Sequence, residues 1–471
     1  MSAAIAMPIT RRLMLKRAAQ LAGLGAAASL AMSLAAIGEA AAAEARGEED
    51  YKALVCIFLM GGNDHGNTLV PYDPANYARY RAIRGAISHR REDLAPTLIA
   101  PRVPQVLTDD LRYAFAPQLP RFKTLFDGGK LAVQLNVGPL AVPLTRAQYE
   151  SGNRALHPLP PKLFSHNDQQ SVWQAGGGEG ASVGWGGRFG DLALSGNGHA
   201  LLTCVSAGGN AVFVSGEQAL QYQISPLGAI PVKPIGEPLY ASAAIGEALR
   251  RLITEPRPQH HFENELAIVA RRSIEMEGVV NRALEGVALR TSFDLAPGEN
   301  ELADQMRIVA RLIGARRALG SRRQVFFVSL AGFDTHSDLA IKHAELLAKL
   351  DEAAAAFYLA TVELGVADKV TAFTASDFGR TLVNNGDGSD HGWGGHHMVI
   401  GGAVRGGRFY GTAPHVSIES DDQVGQGRLL PSTASDQYAA TLARWFGVGE
   451  DALRIVLPNL GNFDRANLGF V

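Results

Sequence analysis

Short, unbroken apolar runs alternate along this chain with stretches whose apolar residues recur every three or four positions. "KALVCIFLM" (52–60) is of the first kind and ends in glycines, the pattern of a strand buried on both faces. The same pattern predicts strands at "KLAVQLNVG" (130–138), "RQVFFVSLAG" (323–332) and "DKVTAFTASDFG" (368–379), and two more in "HALLTCVSAGG" and "NAVFVSG" between 199 and 216. Helical spacing predicts a short helix in "LPRFKTLFDGG" (119–129), closed by glycine, and a long one over 337–365. The inner positions of the long helix are Leu339, His343, Leu346, Leu350, Ala353, Phe357, Ala360 and Leu364, which makes His343 a core histidine rather than a ligand. Residues 139–187, rich in Pro and Gly, predict loops around one short helix. A helical segment near 242–320 carries Arg and Glu on its polar faces, either as an insertion or as crossover helices. Strand, helix and strand over 323–379 predict a right-handed βαβ crossover. The fold class is α/β, a large, mostly parallel sheet sandwiched by helices.

Composition narrows the classes. The chain has 471 residues, 46% of them apolar and 19% charged, and a formal net charge of -2, which excludes a protein that coats nucleic acid. Two cysteines, Cys56 and Cys204, are too few for a disulfide scaffold and lie in apolar runs as buried thiols. Before the first strand stands "TRRLMLKRAA" (10–19), with Arg11 and Arg12, then an Ala/Leu-rich run to Ile37 and "EAAAAEARG" with Ala-x-Ala cleavage sites. This resembles a twin-arginine export signal over residues 1–45, preceding one α/β domain over 46–471. The twin-arginine translocase is then the partner during export, and the destination is periplasmic or secreted. The competing reading of the leader is a single membrane anchor.

In an open parallel sheet, ligands bind beyond the carboxyl ends of the strands. Three predicted strands end in acidic loops: Asp64 in "GGNDHGN", Asp334 and His336 in "GFDTHSD", and Asp377 in "TASDFGRT". A fourth loop, "NNGDGSDHGWGGHH", holds Asp387, Asp390, His391, His396 and His397. Each carboxylate alone is an ordinary turn or cap residue. Together on one sheet edge, carboxylates and imidazoles suit a divalent metal. "DGSDHG" lacks the spacing and the closing Glu of a calcium loop, and "GGNDHGN" lacks the spacing of a nucleotide-binding loop.

"FLMGGNDHGNTLVPYD", "LFSHNDQQSVWQ", "GWGGR", "VFFVSLAGFDTHSD" and "ASDFGRTLVNNGDGSDHGWGGHHMVIGGAVRGGRFYG" resemble the secreted family called domain of unknown function 1501, from about residue 52 onward. That family is grouped with the alkaline-phosphatase-like superfamily of phosphatases, sulfatases and phosphomutases. The resemblance implies an alkaline-phosphatase-like sandwich with a metal site at the strand ends. It implies Asp64, Asp334, His336, Asp377 and His391 as ligands of a divalent metal, Zn, Mn, Mg or Ca. It also implies a nucleophile at a helix start, where Ser165 stands with His166 beside it; Ser165-x-x-Asp168 equally makes a capping box. Arg380, and also Arg188, are candidates to clamp an anionic group. Two departures stand out: Asp334 and His336 are spaced Asp-x-His, with Asp338 where the superfamily has its histidine, and Phe378 replaces the histidine expected after Asp377.

The expected function is an exported metal-dependent hydrolase of phosphate or sulfate esters, acting on a small-molecule or polymer anionic ester, with Ser165 or water attacking. The alternative is a non-catalytic exported scaffold or envelope-binding protein that kept the fold without the full metal site. An exported oxidoreductase is a third option that no flavin, haem or iron–sulfur motif supports.

Overall fold

The computed structural model describes residues 50–178, 180–230, 242–293 and 298–471. The leader expected over 1–45 lies outside the described residues. Among these, no helix is long and apolar enough to cross a membrane.

The chain opens with β1 (Lys52–Met60), then α1 (Pro74–Arg84), α2 (Pro120–Asp127) and β2 (Leu131–Gly138). Next come α3 (His166–Ala175), α4 (Trp185–Ala193), β3 (Cys204–Ser206) and β4 (Tyr222–Gln223). Three helices follow: α5 (Ala243–Thr254), α6 (His261–Glu285) and α7 (Glu301–Gly314). The βαβ unit is β5 (Arg323–Ala331), α8 (Leu339–Glu363) and β6 (Val370–Ser376). The chain continues through β7 (Gly395–Gly401), β8 (Phe409–Tyr410), β9 (Thr433–Ala434) and α9 (Ser435–Phe446).

These strands form one nine-stranded sheet in the order β8–β2–β7–β6–β1–β5–β3–β4, with β9 also beside β2. Only β7 runs against its neighbours; the other pairings are parallel. Alternate residues of β1 serve opposite faces, as a pleated strand buried on both sides must. Ala53, Val55, Ile57 and Leu59 pack with residues of α2, α7 and α8, whereas Leu54, Cys56 and Phe58 pack with α4, α9 and the C-terminal segment. The expected sandwich is present, and the helical segment splits in role. α7 is buried in the first cluster, while α6 contributes Met276, Val280 and Leu284 to it and leaves Phe262 and Leu266 exposed.

Three local expectations are corrected. "NAVFVSG" is not a strand but a 3-10 turn at Val212–Val214, because Phe213 leaves the sheet to pack on Trp185, Phe327 and Phe373 above it. The 199–209 strand shrinks to Cys204–Ser206. The Pro/Gly-rich segment holds more than one helix: Arg146–Glu150, α3 and the start of α4. In the long helix His343 is buried as expected, its Nε2 against Asn63 Oδ1 at 3.0 Å, and Leu347 is buried where Leu346 is only partly so. Cys56 and Cys204 are free and buried, and burial pushes both thiols up.

The central register positions the site. β1 pairs from Lys52↔Arg323 to Met60↔Ala331 on one side and from Ala53↔Val370 to Leu59↔Ser376 on the other. The loops carrying Asp64, Asp334 and Asp377 therefore leave three adjacent strands at one level.

A tertiary cap gives a pH-dependent prediction. Leu119, before α2, makes no side-chain cap, and Asp351 of α8 instead accepts the main-chain N–H groups of Arg121 and Phe122 at 3.1 and 2.8 Å. Burial pushes the Asp351 carboxyl up to about 6 against these donors. Its pKa in the unfolded chain is about 3.9, so the folded state favours the protonated form. The contribution is complete below pH ~4 and is lost as pH rises through ~6. Asp351→Asn cannot ionise, so urea denaturation from pH ~4 to ~7 should show a flatter loss of stability than the wild type. Parallel curves would contradict this assignment.

Candidate metal centre

The turn after β1 needs its glycines. Gly61 has φ +114°, and a Cβ there would lie 2.3 Å from Asp334 N; Gly62 has φ +87°, and a Cβ would meet the Phe378 ring at 2.5 Å. With no side chain in the way, the Gly61 N–H donates to Asp377 Oδ1 at 3.2 Å, and the Asn63 N–H to Ser376 Oγ at 2.9 Å. Asp64 caps the single helical turn His65–Thr68 by accepting from the Gly66 N–H at 3.2 Å, and its other oxygen pairs with Arg84 of α1. Both side chains are fully buried. Burial pushes the Asp64 carboxyl up, but Arg84, with His343, His65 and Arg380, holds it below the usual range. Asn67 is equally committed, donating to Ile87 O at 2.7 Å and accepting from the Tyr80 hydroxyl at 2.7 Å.

Asp334, three residues past β5, lies at the centre of the site. Its Oδ1 accepts from Arg380 Nη1 at 2.8 Å. Around the same oxygen stand His336 Nε2 at 3.1 Å, His166 Nε2 at 3.4 Å and His391 Nε2 at 3.4 Å. The Nε2 atoms of His336 and His391 are 2.9 Å apart. Ligand atoms of His166, Asp334 and His391 all lie within 4.8 Å of one another.

Each imidazole is oriented from behind. His166 Nδ1 meets Asp377 Oδ2 at 2.7 Å, and Gln170, one helical turn along α3, donates to the same oxygen at 2.9 Å. His391 Nδ1 donates to the Phe164 carbonyl at 2.7 Å, and His336 Nδ1 faces Asp390 Oδ1 at 3.1 Å. Phe378, buried behind them, stacks at 4.8 Å on His166 and 4.7 Å on His391. Phe164 holds its carbonyl in place from a φ of +73°, a left-handed conformation that costs a bulky residue about 1–3 kcal/mol.

These partners settle the tautomers. An Nδ1 facing a carbonyl or carboxylate carries the proton, so the neutral ring turns a lone pair outward from Nε2. Three such lone pairs converge on one carboxylate oxygen, and two of them point at each other across 2.9 Å. Acceptors collected this way repel unless a proton or a cation sits among them, and His166 Nε2 has no hydrogen-bond donor. Tetrahedral ligands about 2.0–2.2 Å from a zinc ion stand about 3.3–3.6 Å apart, close to the spacings around Asp334. The donor set fits a divalent ion held by His166, Asp334 and His391, with His336 adjoining. The Asp377 hydrogen bond leads in raising the His166 pKa against burial, whereas burial leads in lowering that of His391. At Asp334 burial raises, but the Arg380 donor and charge prevail and lower it.

Of the residues singled out in the sequence, Asp334, His336, His391 and His166 come together, His166 as a ring beside the carboxylate. Asp377 is fully buried and stands behind His166, while Asp64 is engaged by Arg84 away from this group. Arg380 is fully buried, with its donors on Asp334, the Gly61 carbonyl at 3.1 Å and the Ser389 carbonyl at 2.5 Å. Ser165 precedes α3 without bonding its N–H groups, so the capping box is not formed; its hydroxyl donates to Asp168 Oδ2 at 2.9 Å. Arg188 reaches the Val456 carbonyl at 3.0 Å. His396 accepts from the Asn136 N–H at 3.1 Å and His397 faces Thr374 at 3.2 Å, both buried in the sheet. Asp387 accepts from the Asp338 N–H at 3.2 Å ahead of α8.

Comparison with known proteins completes this picture. The family model described as "Protein of unknown function (DUF1501)" matches residues 51–448. The chain belongs to this family. No curated protein matches it. Among solved structures, the chain is similar to one described as "Crystal structure of Ps i-CgsB in complex with k-i-k-neocarrahexaose". The identity is 10%, the TM-score 0.37, and the match covers 89% of this chain and 78% of that one, a likeness too low to carry any argument about function.

The site residues that sequence reasoning missed are Arg84, Gln170 and Phe164. Gln170 alone left a signal, lying four residues beyond His166 on one helix face.

The Asp64–Arg84 pair yields a prediction. Asp64→Asn keeps the cap but leaves Arg84 buried without its counter-charge, and should cost about 3–5 kcal/mol in urea unfolding. Adding Arg84→Met should recover most of that loss, whereas additive losses in the double variant would contradict the pairing.

Proposed function

We propose that this protein is an exported, metal-dependent hydrolase of phosphate or sulfate esters, alkaline-phosphatase-like, working with one divalent ion rather than two. The observation that carries the reading is the convergence of three imidazole Nε2 atoms on Asp334 Oδ1. Imidazole donors favour zinc or another transition ion over magnesium or calcium. Two imidazoles and one carboxylate are the ligand number of a catalytic zinc site, which leaves a position for substrate.

An ion bound there would polarise an ester oxygen and acidify water. The chain's own residues do the rest. Asp377 holds the His166 Nδ1 proton, and Arg380 fixes the Asp334 carboxylate. The Ser165 hydroxyl donates a hydrogen bond to Asp168, which leaves its lone pairs uncommitted at the positive end of α3. Phe378 and Arg84 support a single ion: the ring fills the space beside both imidazoles, and the guanidinium already neutralises Asp64. Export by the twin-arginine translocase and a periplasmic or secreted location rest on the leader.

One observation favours the non-catalytic scaffold. Both terminal amino groups of Arg380 reach protein acceptors, and His336 is placed to close a fourth position, as in structural zinc sites.

Purified mature protein should bind about one equivalent of zinc. Asp377→Asn should weaken that affinity about 10–100-fold, since it orients His166 from behind without being a ligand itself. Asp334→Asn should abolish binding together with hydrolysis of p-nitrophenyl phosphate or p-nitrophenyl sulfate. Metal bound without ester cleavage selects the scaffold; no metal bound, with hydrolysis unchanged in Asp334→Asn, overturns both.

A further inference from the structure

We infer that Arg428 is a specificity-determining residue that recognises a second anionic group on the ester substrate, an inference that rests on the hydrolase reading above. Arg428 stands beside the metal centre but is built differently from Arg380. Its Nε donates to the His391 main-chain carbonyl at 2.9 Å, at the opposite end of that residue from the converging Nε2. Its guanidinium carbon lies 4.7 Å from the centre of the Phe164 ring, the residue whose carbonyl orients His391.

The mount is rigid. Arg428 lies on a small antiparallel pair, Gln423–Val424 with Arg428–Leu429. That pair is fastened to the hairpin of the site by the Leu382 N–H to the Gly427 carbonyl at 2.9 Å, and by the Gly394 N–H to the Leu429 carbonyl at 2.9 Å. A guanidinium held by its Nε and by an aromatic face has already lost most of its rotamer freedom, and it is more weakly hydrated than an ammonium. Its two terminal amino groups have no hydrogen-bond or carboxylate partner among the described residues. Arg380, in contrast, spends its terminal donors on protein acceptors.

The position decides which part of a substrate it meets. Arg428 is anchored at the main-chain carbonyl of His391, the length of that side chain away from the Nε2 that faces Asp334. An oxyanion at the converging ligand atoms would therefore be out of direct reach of Arg428, while a second phosphate or sulfate on the same molecule would meet its free fork. A planar fork with two unpaired amino groups matches two oxygens of such a group. The favoured substrate class is an ester with two or more anionic groups, such as a bisphosphate or a multiply sulfated molecule.

Calorimetric binding of glucose 1-phosphate and glucose 1,6-bisphosphate to the zinc-loaded full chain tests this. The wild type should prefer the bisphosphate by about tenfold or more, the worth of a charge-assisted hydrogen bond. Arg428→Gln should erase that preference and leave monophosphate affinity and zinc content unchanged. Arg428→Lys should keep part of it, since the charge remains and the fork does not. Equal preference in wild type and Arg428→Gln, or equal loss of both ligands with the zinc retained, overturns the inference. Failure of the wild type to take up zinc overturns the hydrolase reading instead, and is read from metal content before any sugar phosphate is added.

Discussion

Three carboxylates at the ends of three adjacent parallel strands, two of them fully buried, cannot stand side by side without counter-charge, and the architecture around the strand ends follows from that constraint. Each receives its own cation or donor set. Asp64, after β1, takes Arg84 from α1. Asp334, after β5, takes Arg380 from the hairpin that follows β6. Asp377, after β6, takes His166 and Gln170 from α3 together with the Gly61 N–H. Elements far apart in sequence are drawn to one sheet edge by this need, and the parallel register of β1 with β5 and β6 sets the level at which they meet.

The three pairings are unequal, and the inequality defines the site. Asp64 and Asp377 are fully buried and have no exposure to a ligand, whereas Asp334 is open to solvent and shared among three imidazoles. Arg84 supplies buried Asp64 with a permanent counter-charge. Phe378 packs its buried ring against both His166 and His391. What remains is one cluster of imidazole Nε2 atoms around Asp334 Oδ1, supported by a strained Phe164 whose carbonyl faces His391.

Most of the fold was legible in the sequence because buried strands and amphipathic helices leave periodic traces. β1, β2, β5, α8 and β6 lie where the pattern predicts them. "NAVFVSG" misled because four apolar residues in a row look alike whether they enter a sheet or cover it. At the site, Asp334, His336 and His391 were legible as acidic and imidazole residues in loops at strand ends, and His166 was visible beside Ser165. Which carboxylate would face the cluster was not legible, since that depends on Arg84, an arginine on an ordinary-looking helix whose burial no local pattern reveals. The Phe164 carbonyl left no trace either, because main-chain groups are common to every residue. Phe378 was visible as a departure from the expected motif, but its stacking on two rings emerges only in three dimensions.

The central claim is that one divalent ion belongs among His166, Asp334 and His391, and not beside Asp64. Anomalous diffraction at the zinc edge, from crystals of the mature protein equilibrated with zinc, tests it most directly. The account predicts a single strong peak about 2.0–2.2 Å from His166 Nε2, His391 Nε2 and an Asp334 oxygen. No peak in that position, or a second of equal height beside Asp64, would contradict it.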